Sequence, residues 1–166
     1  PGVFLDLGSG SGQGVIYGAH HSWDSYGIEI CRNAHGLSLE ALALAERSGY
    51  IPEGRARIAH GNFFPAGFEI IRSGKDEDAF RKFIEEHILE KNADPYQELG
   101  ITPAQVDLFY NYQVERRDNL LRFLVEYGKA GALMLIALSF NDPVNLPEGI
   151  EELATEDGFC LYQNTG

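Results

Sequence analysis

The sequence predicts an α/β fold: a three-layer, mainly parallel sheet with helices on both faces. Three observations lead there. Apolar runs of strand length alternate with stretches of helical periodicity. Glycines or polar residues end most of these runs, which marks where one element stops and the next begins. Finally, strand-helix-strand order repeated along a chain requires crossover connections, and these produce a parallel sheet covered on both sides. The chain has 166 residues. That suits a single domain, 1–166, able to bury roughly 70% of the surface an unfolded chain exposes.

The elements follow in order. Val3-Phe4-Leu5-Asp6-Leu7 is a short apolar run closed by glycines and reads as a buried strand. Residues 11–20 can form a helix, and Tyr26 to Ile30 reads as a second strand. From Asn33 to Ser48, Ala34, Leu37, Ala41, Leu44 and Ala45 recur at helical spacing, with Arg47 in the last turn and Gly49 just past it. Ala56 to His60 is a weak third strand and Val106 to Tyr110 a stronger fourth. Leu120, Leu121, Leu124 and Tyr127 form one apolar helical face, stopped by Gly128. Ala132 to Leu138 is a fifth strand, and Phe159 to Tyr162 is a candidate sixth. Phe64 and Gln105 are separated by 40 residues, more than one crossover needs. Phe80, Phe83, Ile84, His87 and Ile88 predict an amphipathic helix over about Lys75 to Lys91. The 65–104 region is therefore either a crossover helix with a decorated entry or an insertion acting as a lid.

Composition excludes several classes. The chain is 44% hydrophobic and 23% charged, which is globular rather than disordered. Its net charge is −12, so a phosphate backbone is repelled and nucleic acid is an unlikely partner. Residues 75–98 and the C-terminal stretch 141–166 contribute −4 and −6 of that charge, as solvated faces. Two cysteines, Cys31 and Cys160, make neither a metal set nor a disulfide framework, so a reducing, cytoplasmic setting is expected. No apolar run has the length of a membrane span. The abrupt opening on Pro1-Gly2 suggests an excerpt lacking an N-terminal segment.

The strongest chemical signal is Asp6-Leu7-Gly8-Ser9-Gly10-Ser11-Gly12-Gln13-Gly14. Glycine at alternate positions permits positive φ and lets a ligand approach the backbone. The loop then feeds a helix N-terminus, whose free N–H groups face the ligand. The dinucleotide pattern G-x-G-x-x-G fails, because the closing position is Gln13, Val15 or Tyr17 for the three possible starts. The phosphate loop G-x-x-x-x-G-K-S/T fails because the first lysine is Lys75. Asp6 at the same mouth would repel a pyrophosphate but suits an ammonium or sulfonium, which points to S-adenosyl-L-methionine.

With these residues in view, Val3 through Gly12 resembles the first motif of class I, Rossmann-like S-adenosylmethionine-dependent methyltransferases, hydrophobic-x-Asp-x-Gly-x-Gly-x-Gly. The resemblance covers about 3–140. It implies a Rossmann-like sheet and S-adenosyl-L-methionine as cofactor, held by Asp6, Gly8, Ser9, Gly10, Gly12 and Gln13. It also implies that Glu29, 17 positions after Gly12, accepts both ribose hydroxyls. After the third strand it places Asn62 near the adenine amine, where the family often has aspartate, and Phe63 under the ring. After the fourth strand it places Asn111 and Tyr112 beside the methyl acceptor. Amino-methylating nucleic-acid enzymes often carry Asn/Asp-Pro-Pro-Tyr/Phe there, and Asn111-Tyr112-Gln113 lacks the prolines. The segments Phe4–Gly10, Gly12-Gln13, Tyr26–Glu29 and Gly61–Phe63 are also similar to the non-SET histone lysine methyltransferase family. The acidic charge argues against carrying over that family's substrate. The tail after Asn141 matches no motif, and the seventh strand expected of the fold has no obvious segment.

Methyl transfer is an in-line displacement at an already activated carbon, so positioning matters more than a catalytic triad. His20, His21, His35, His60 and His87 are scattered, with no H-x-x-x-H or Cys-x-x-Cys pair, and no metal site is expected. The expected function is methyl transfer to a small-molecule or protein acceptor. The alternatives are a cofactor-binding module of the same fold without turnover and, more distantly, a nicotinamide-dependent oxidoreductase. Oligomeric state is not readable from the sequence.

Overall fold

The structure, a computed structural model, describes residues 1–71, 94–112, 116–137 and 145–166. Among these it contains β1 (Val3–Leu7), α1 (Gln13–His20), β2 (Asp24–Glu29), α2 (Arg32–Arg47), β3 (Ala56–His60), α3 (Pro95–Leu99), a 3-10 turn (Pro103–Gln105), β4 (Leu108–Tyr112), α4 (Arg117–Tyr127), β5 (Leu133–Ala137), β6 (Ile150–Glu156) and β7 (Phe159–Asn164). The predicted α/β class is what forms: a seven-stranded sheet in the order β3-β2-β1-β4-β5-β7-β6. The first five strands in that order run parallel. β7 lies antiparallel between β5 and β6.

Each face of the sheet has its own core. On one face Leu5 and Leu7 of β1, Phe109 of β4, Met134 and Ile136 of β5, and Cys160 and Tyr162 of β7 pack with Leu120, Leu121, Phe123 and Leu124 of α4. Phe64 and Phe68 complete that layer, with Phe68 stacked on Phe64 at 4.4 Å between centroids. On the other face Val15 and Ala19 of α1 and Leu42 and Ala45 of α2 cover Ala56 and Ile58 of β3. Alternation along each strand feeds the two layers, since successive side chains point to opposite faces.

Several sequence expectations are corrected. The helix predicted over 11–20 starts at Gln13, because Gly12 adopts the left-handed conformation at its N-cap. β2 and β4 lie two residues before and after their predicted starts, and Val106 is buried in the approach to β4. In α2 the residues turned to the core are Ser38, Leu42 and Ala45, not the stripe through Leu37 and Leu44. Leu37 and Leu44 are 59% and 61% exposed. Ala41 and Ala45 are too small to distinguish one apolar face from the next, so periodicity alone misplaces it by one residue.

The strand with no obvious segment is β6, and β7 continues past Tyr162 to Asn164. β6 has no inward apolar alternation: every residue from Glu151 to Glu156 is exposed. It exists because β7 pairs with it across a tight turn at Asp157-Gly158, whose φ values are +50° and +81°. Both flanks of the long 65–104 connection are packed, with Phe68, Tyr96, Leu99 and Ile101 all in the core. The amphipathic helix predicted over 75–91 lies outside the described residues.

Candidate functional site

Strand order reverses between β1 and β4, and ligands of open α/β sheets bind beyond the carboxyl ends of the strands at such a switch point. Asp6 is in register with Gly27 of β2 and with Tyr110 of β4. It is 3% exposed. No hydrogen bond among the described residues reaches its carboxyl group. Burial, and secondarily the charge of Glu29, push its pKa up to about 7. A carboxyl removed from water without a donor resists ionising, and a cation placed beside it would reverse that.

The loop after Asp6 is tied down by Glu29. Gly10 N donates to Glu29 Oε2 at 2.6 Å, and Cys31 N donates to Glu29 Oε1 at 2.7 Å. Gly8 N and Ser9 N both donate to the carbonyl oxygen of Ile28, at 2.9 and 3.1 Å. The loop is thus preformed by β2. Besides the ribose contact that the resemblance implies for it, the Glu29 carboxylate fixes the loop's shape, with a lone pair left on each oxygen.

Gly10 has φ +53° and nothing within 4 Å of where a Cβ would stand. The space on that side of the loop is open. Gly12 is confined: a Cβ there would lie 2.9 Å from Ile58 Cδ1. Gly14 ends the glycine run but is not among the residues that the resemblance assigns to the cofactor. A Cβ at Gly14 would collide with Asp6 Oδ2, so the absent side chain of α1 makes room for the carboxyl. The signal was the fourth glycine of the same run. Gly27 acts similarly from β2, where a Cβ would meet Val15 Cγ2 at 2.7 Å and Ser9 Oγ at 2.8 Å. Ser9 lies behind the loop, its buried hydroxyl without a partner.

On β4, Asn111 is fully buried and donates from Nδ2 to the carbonyl oxygen of Leu7 at 2.7 Å. Its Oδ1 has no hydrogen-bond partner. Tyr112 is 57% exposed and Tyr110 half-buried, so the two neighbours of Asn111 face a different environment. Burial and the nearby Asp6 carboxyl raise the Tyr110 hydroxyl above its usual range. Tyr110 and Gly14 also line an apolar groove of about 520 Å³ that extends past Gln13 and Tyr17 to Leu135 and Phe159.

After β3, Asn62 Oδ1 accepts from Phe64 N at 3.0 Å, closing a side-chain turn that leaves its amide nitrogen as the free end. Phe63 is half-buried against Phe64, 4.6 Å between ring centroids, and its carbonyl oxygen accepts from the Tyr96 hydroxyl at 2.6 Å. His60 Nε2 lies 3.0 Å from the Ile30 carbonyl oxygen and His35 Nε2 lies 3.3 Å from that of Ile58, which gives both rings structural partners. Among the described residues no group of three or more His, Cys, Asp or Glu could hold a metal. Asp6, Gly8, Gly10, Gly12, Gly14, Glu29 and Asn111 gather at the carboxyl ends of β1, β2 and β4. Asn62 and Phe63 stand at the end of β3.

No family model and no curated protein matches the chain. Solved structures do. HI0767 of Haemophilus influenzae, named as a methylase, aligns with 99% of this chain and 88% of its own at a TM-score of 0.62 and 13% identity. The fold is that of methyltransferases. An RNA methyltransferase of Salinibacter ruber, crystallised with S-adenosyl-L-homocysteine, aligns over 99% of this chain and 81% of its own (TM-score 0.53, 17% identity). yhhF of Escherichia coli, named as a methyltransferase, aligns over 98% and 75% (TM-score 0.56, 16% identity). The Rossmann-like α/β class expected from the first motif is therefore observed. The narrower similarity to non-SET histone lysine methyltransferases finds no counterpart among these structures. No described helix is long and apolar enough to cross a membrane.

Proposed function

We propose that this chain is an S-adenosyl-L-methionine-dependent methyltransferase acting on a nitrogen that bears an N–H, in a small molecule or a protein. The observation that carries the reading is Asp6: a buried carboxyl with no hydrogen bond from any described residue, beside an open glycine loop. A phosphate-bearing dinucleotide would meet repulsion there, whereas a sulfonium or ammonium supplies the missing counter-charge. The methyltransferases that share the fold, one crystallised with S-adenosyl-L-homocysteine, support the same ligand.

The residues fit that cofactor. The backbone at Gly10 leaves room for it, Glu29 has oxygen lone pairs for the ribose hydroxyls, and Asn62 and Phe63 at the end of β3 would flank the adenine. When bound, S-adenosyl-L-methionine supplies a methyl carbon activated by its sulfonium. Asn111 holds Nδ2 on Leu7 and keeps Oδ1 as an acceptor at the end of β4. A substrate N–H would satisfy that buried oxygen and orient the nitrogen lone pair. The net charge of −12 favours a small-molecule or protein amine over RNA.

Isothermal titration with S-adenosyl-L-methionine and S-adenosyl-L-homocysteine, followed by a labelled-methyl screen against amines, peptides and RNA, tests this. Binding should occur and be lost in Gly10→Val, whose side chain fills the open space. Absence of heat with either ligand sinks the cofactor assignment. Binding with turnover only on carbon or oxygen acceptors sinks the role of Asn111.

A further inference from the structure

We propose that the outer face of α2 is a self-association surface on which two copies of the chain pair antiparallel, about a two-fold axis between Ala43 and Leu44. This inference is independent of the methyl-transfer reading. α2 buries Ser38, Leu42 and Ala45 against the sheet, which turns the stripe Leu37, Glu40, Leu44 and Arg47 outward. Spacings of three, four and three residues keep these four on one side of a helix. Leu37 and Leu44 are the most exposed leucines of the described residues. They alternate with Glu40 and Arg47, neither of which has a hydrogen-bond or ion-pair partner there.

The charge order selects the occupant. The stripe carries one acid and one base seven residues apart, about 10 Å along the axis. When two such helices are laid antiparallel with residues i and 87−i opposite, Glu40 of each copy meets Arg47 of the other. Leu44 then lies next to the axis, and Leu37 lies over the turn after the other helix, where Tyr50 is 51% exposed. Both ion pairs form at once only in an isologous contact, where one patch meets itself. A partner of single-signed charge would satisfy one end and oppose the other. The flanking Gly36 and Ala43 place no bulk between the helices.

One helix pair lies near the lower edge of a specific interface, so the dimer should be weak, with a Kd on the order of 10–100 µM. Analytical ultracentrifugation of the full chain from about 5 to 500 µM, at about 150 mM salt so that remote charges are screened, reads it directly. A monomer–dimer equilibrium is expected. Glu40→Arg or Arg47→Glu alone should weaken it at least tenfold by opposing like charges, and the two together should restore it to within about threefold. Leu44→Asp should leave a folded monomer, verified by circular dichroism, since the position is exposed. A wild-type monomer across the whole range, a dimer indifferent to Leu44→Asp, or a double variant that fails to recover overturns the proposal.

Discussion

The half of the sheet made of β1, β2 and β3 and the half made of β5, β7 and β6 are built under different demands. In the first, side chains are removed or left without partners: Gly10 opens onto space, Gly14 gives way to Asp6, and Asp6 itself has no donor. In the second, polar groups are satisfied within the fold. Asn164 donates from Nδ2 to the carbonyl oxygens of Leu124 and Gly128, at 3.1 and 3.2 Å, which completes the end of α4. Arg117 donates to the Tyr162 hydroxyl at 3.0 Å. A region that leaves polar groups unmet gives up stability and holds them ready for a ligand, whereas a region that meets them all contributes stability alone. Substitutions in the first half should therefore change ligand binding, and those in the second should change only folding.

The largest effect should come from Gly14→Val. Its Cβ would displace the Asp6 carboxylate, and neither β1 nor α1 can move without disturbing a packed layer. Destabilisation of about 3 kcal/mol or more is expected by urea unfolding, together with loss of S-adenosyl-L-methionine binding. Retained binding at wild-type affinity would mean that Asp6 and the start of α1 are not part of the site.

Asp6→Asn separates binding from stability. Burial holds the Asp6 pKa near 7, above the unfolded value of 3.8. Between those values the folded protein keeps a proton that the unfolded chain has released. Ligand-free stability should therefore fall as pH rises from about 4 to 7 and level off above, and Asn should abolish that slope. Binding runs the other way. The ionised carboxylate attracts the cation, so affinity should fall as pH drops through about 7 in the wild type and stay flat in the variant. At pH 8 the variant should melt higher without ligand and bind S-adenosyl-L-methionine roughly tenfold or more weakly. Calorimetry across pH 5.5 to 8.5 checks both signs, and parallel profiles for the two proteins would remove Asp6 from the cofactor's surroundings.

In the second half, Asn164→Ala should cost about 1–3 kcal/mol by removing two hydrogen bonds at the end of α4: the Leu124 carbonyl keeps the Gly128 N–H, at 3.0 Å, and the Gly128 carbonyl loses its side-chain donor. Its cofactor Kd should equal that of the wild type, within about twofold. A clear loss of affinity would show that the two halves are energetically coupled and that the contrast between them is wrong.

The contrast also explains what could be read from the sequence. Strands β1 and β2 and the glycine loop were legible because residue types there answer demands few others meet: glycine for positive φ or missing volume, a carboxylate at a strand end for a charged ligand. The role of Glu29 in tying the loop was not legible, since its donors are backbone N–H groups, which every residue carries. β6 was invisible for a related reason. A solvated edge strand has no inward face to impose alternation, and its acidic residues read equally well as a loop. In α2 the sequence predicts a stripe through Leu37 and Leu44, whereas the positions of β2 and β3 bury the adjacent side, through Ser38, Leu42 and Ala45. The 75–91 helix lies outside the described residues.

The smallest effect should arise at the turn that creates β6. Asp157 and Gly158 both have positive φ, the type I′ geometry that matches the twist of a two-residue hairpin, and Glu156 and Phe159 pair across it. Gly158→Ala forces a Cβ into the left-handed region without touching any packed neighbour, since nothing lies within 4 Å of that position. The cost should be conformational only, about 1 kcal/mol, which for a chain of this length lowers Tm by roughly 3 °C. Cofactor affinity should not change, because β5 and β7 separate this edge from β4. If Gly158→Ala instead weakened binding as much as Asp6→Asn does, the hairpin would have to hold β4 and β5 in place, and the division of the sheet into a binding half and a stabilising half would fail.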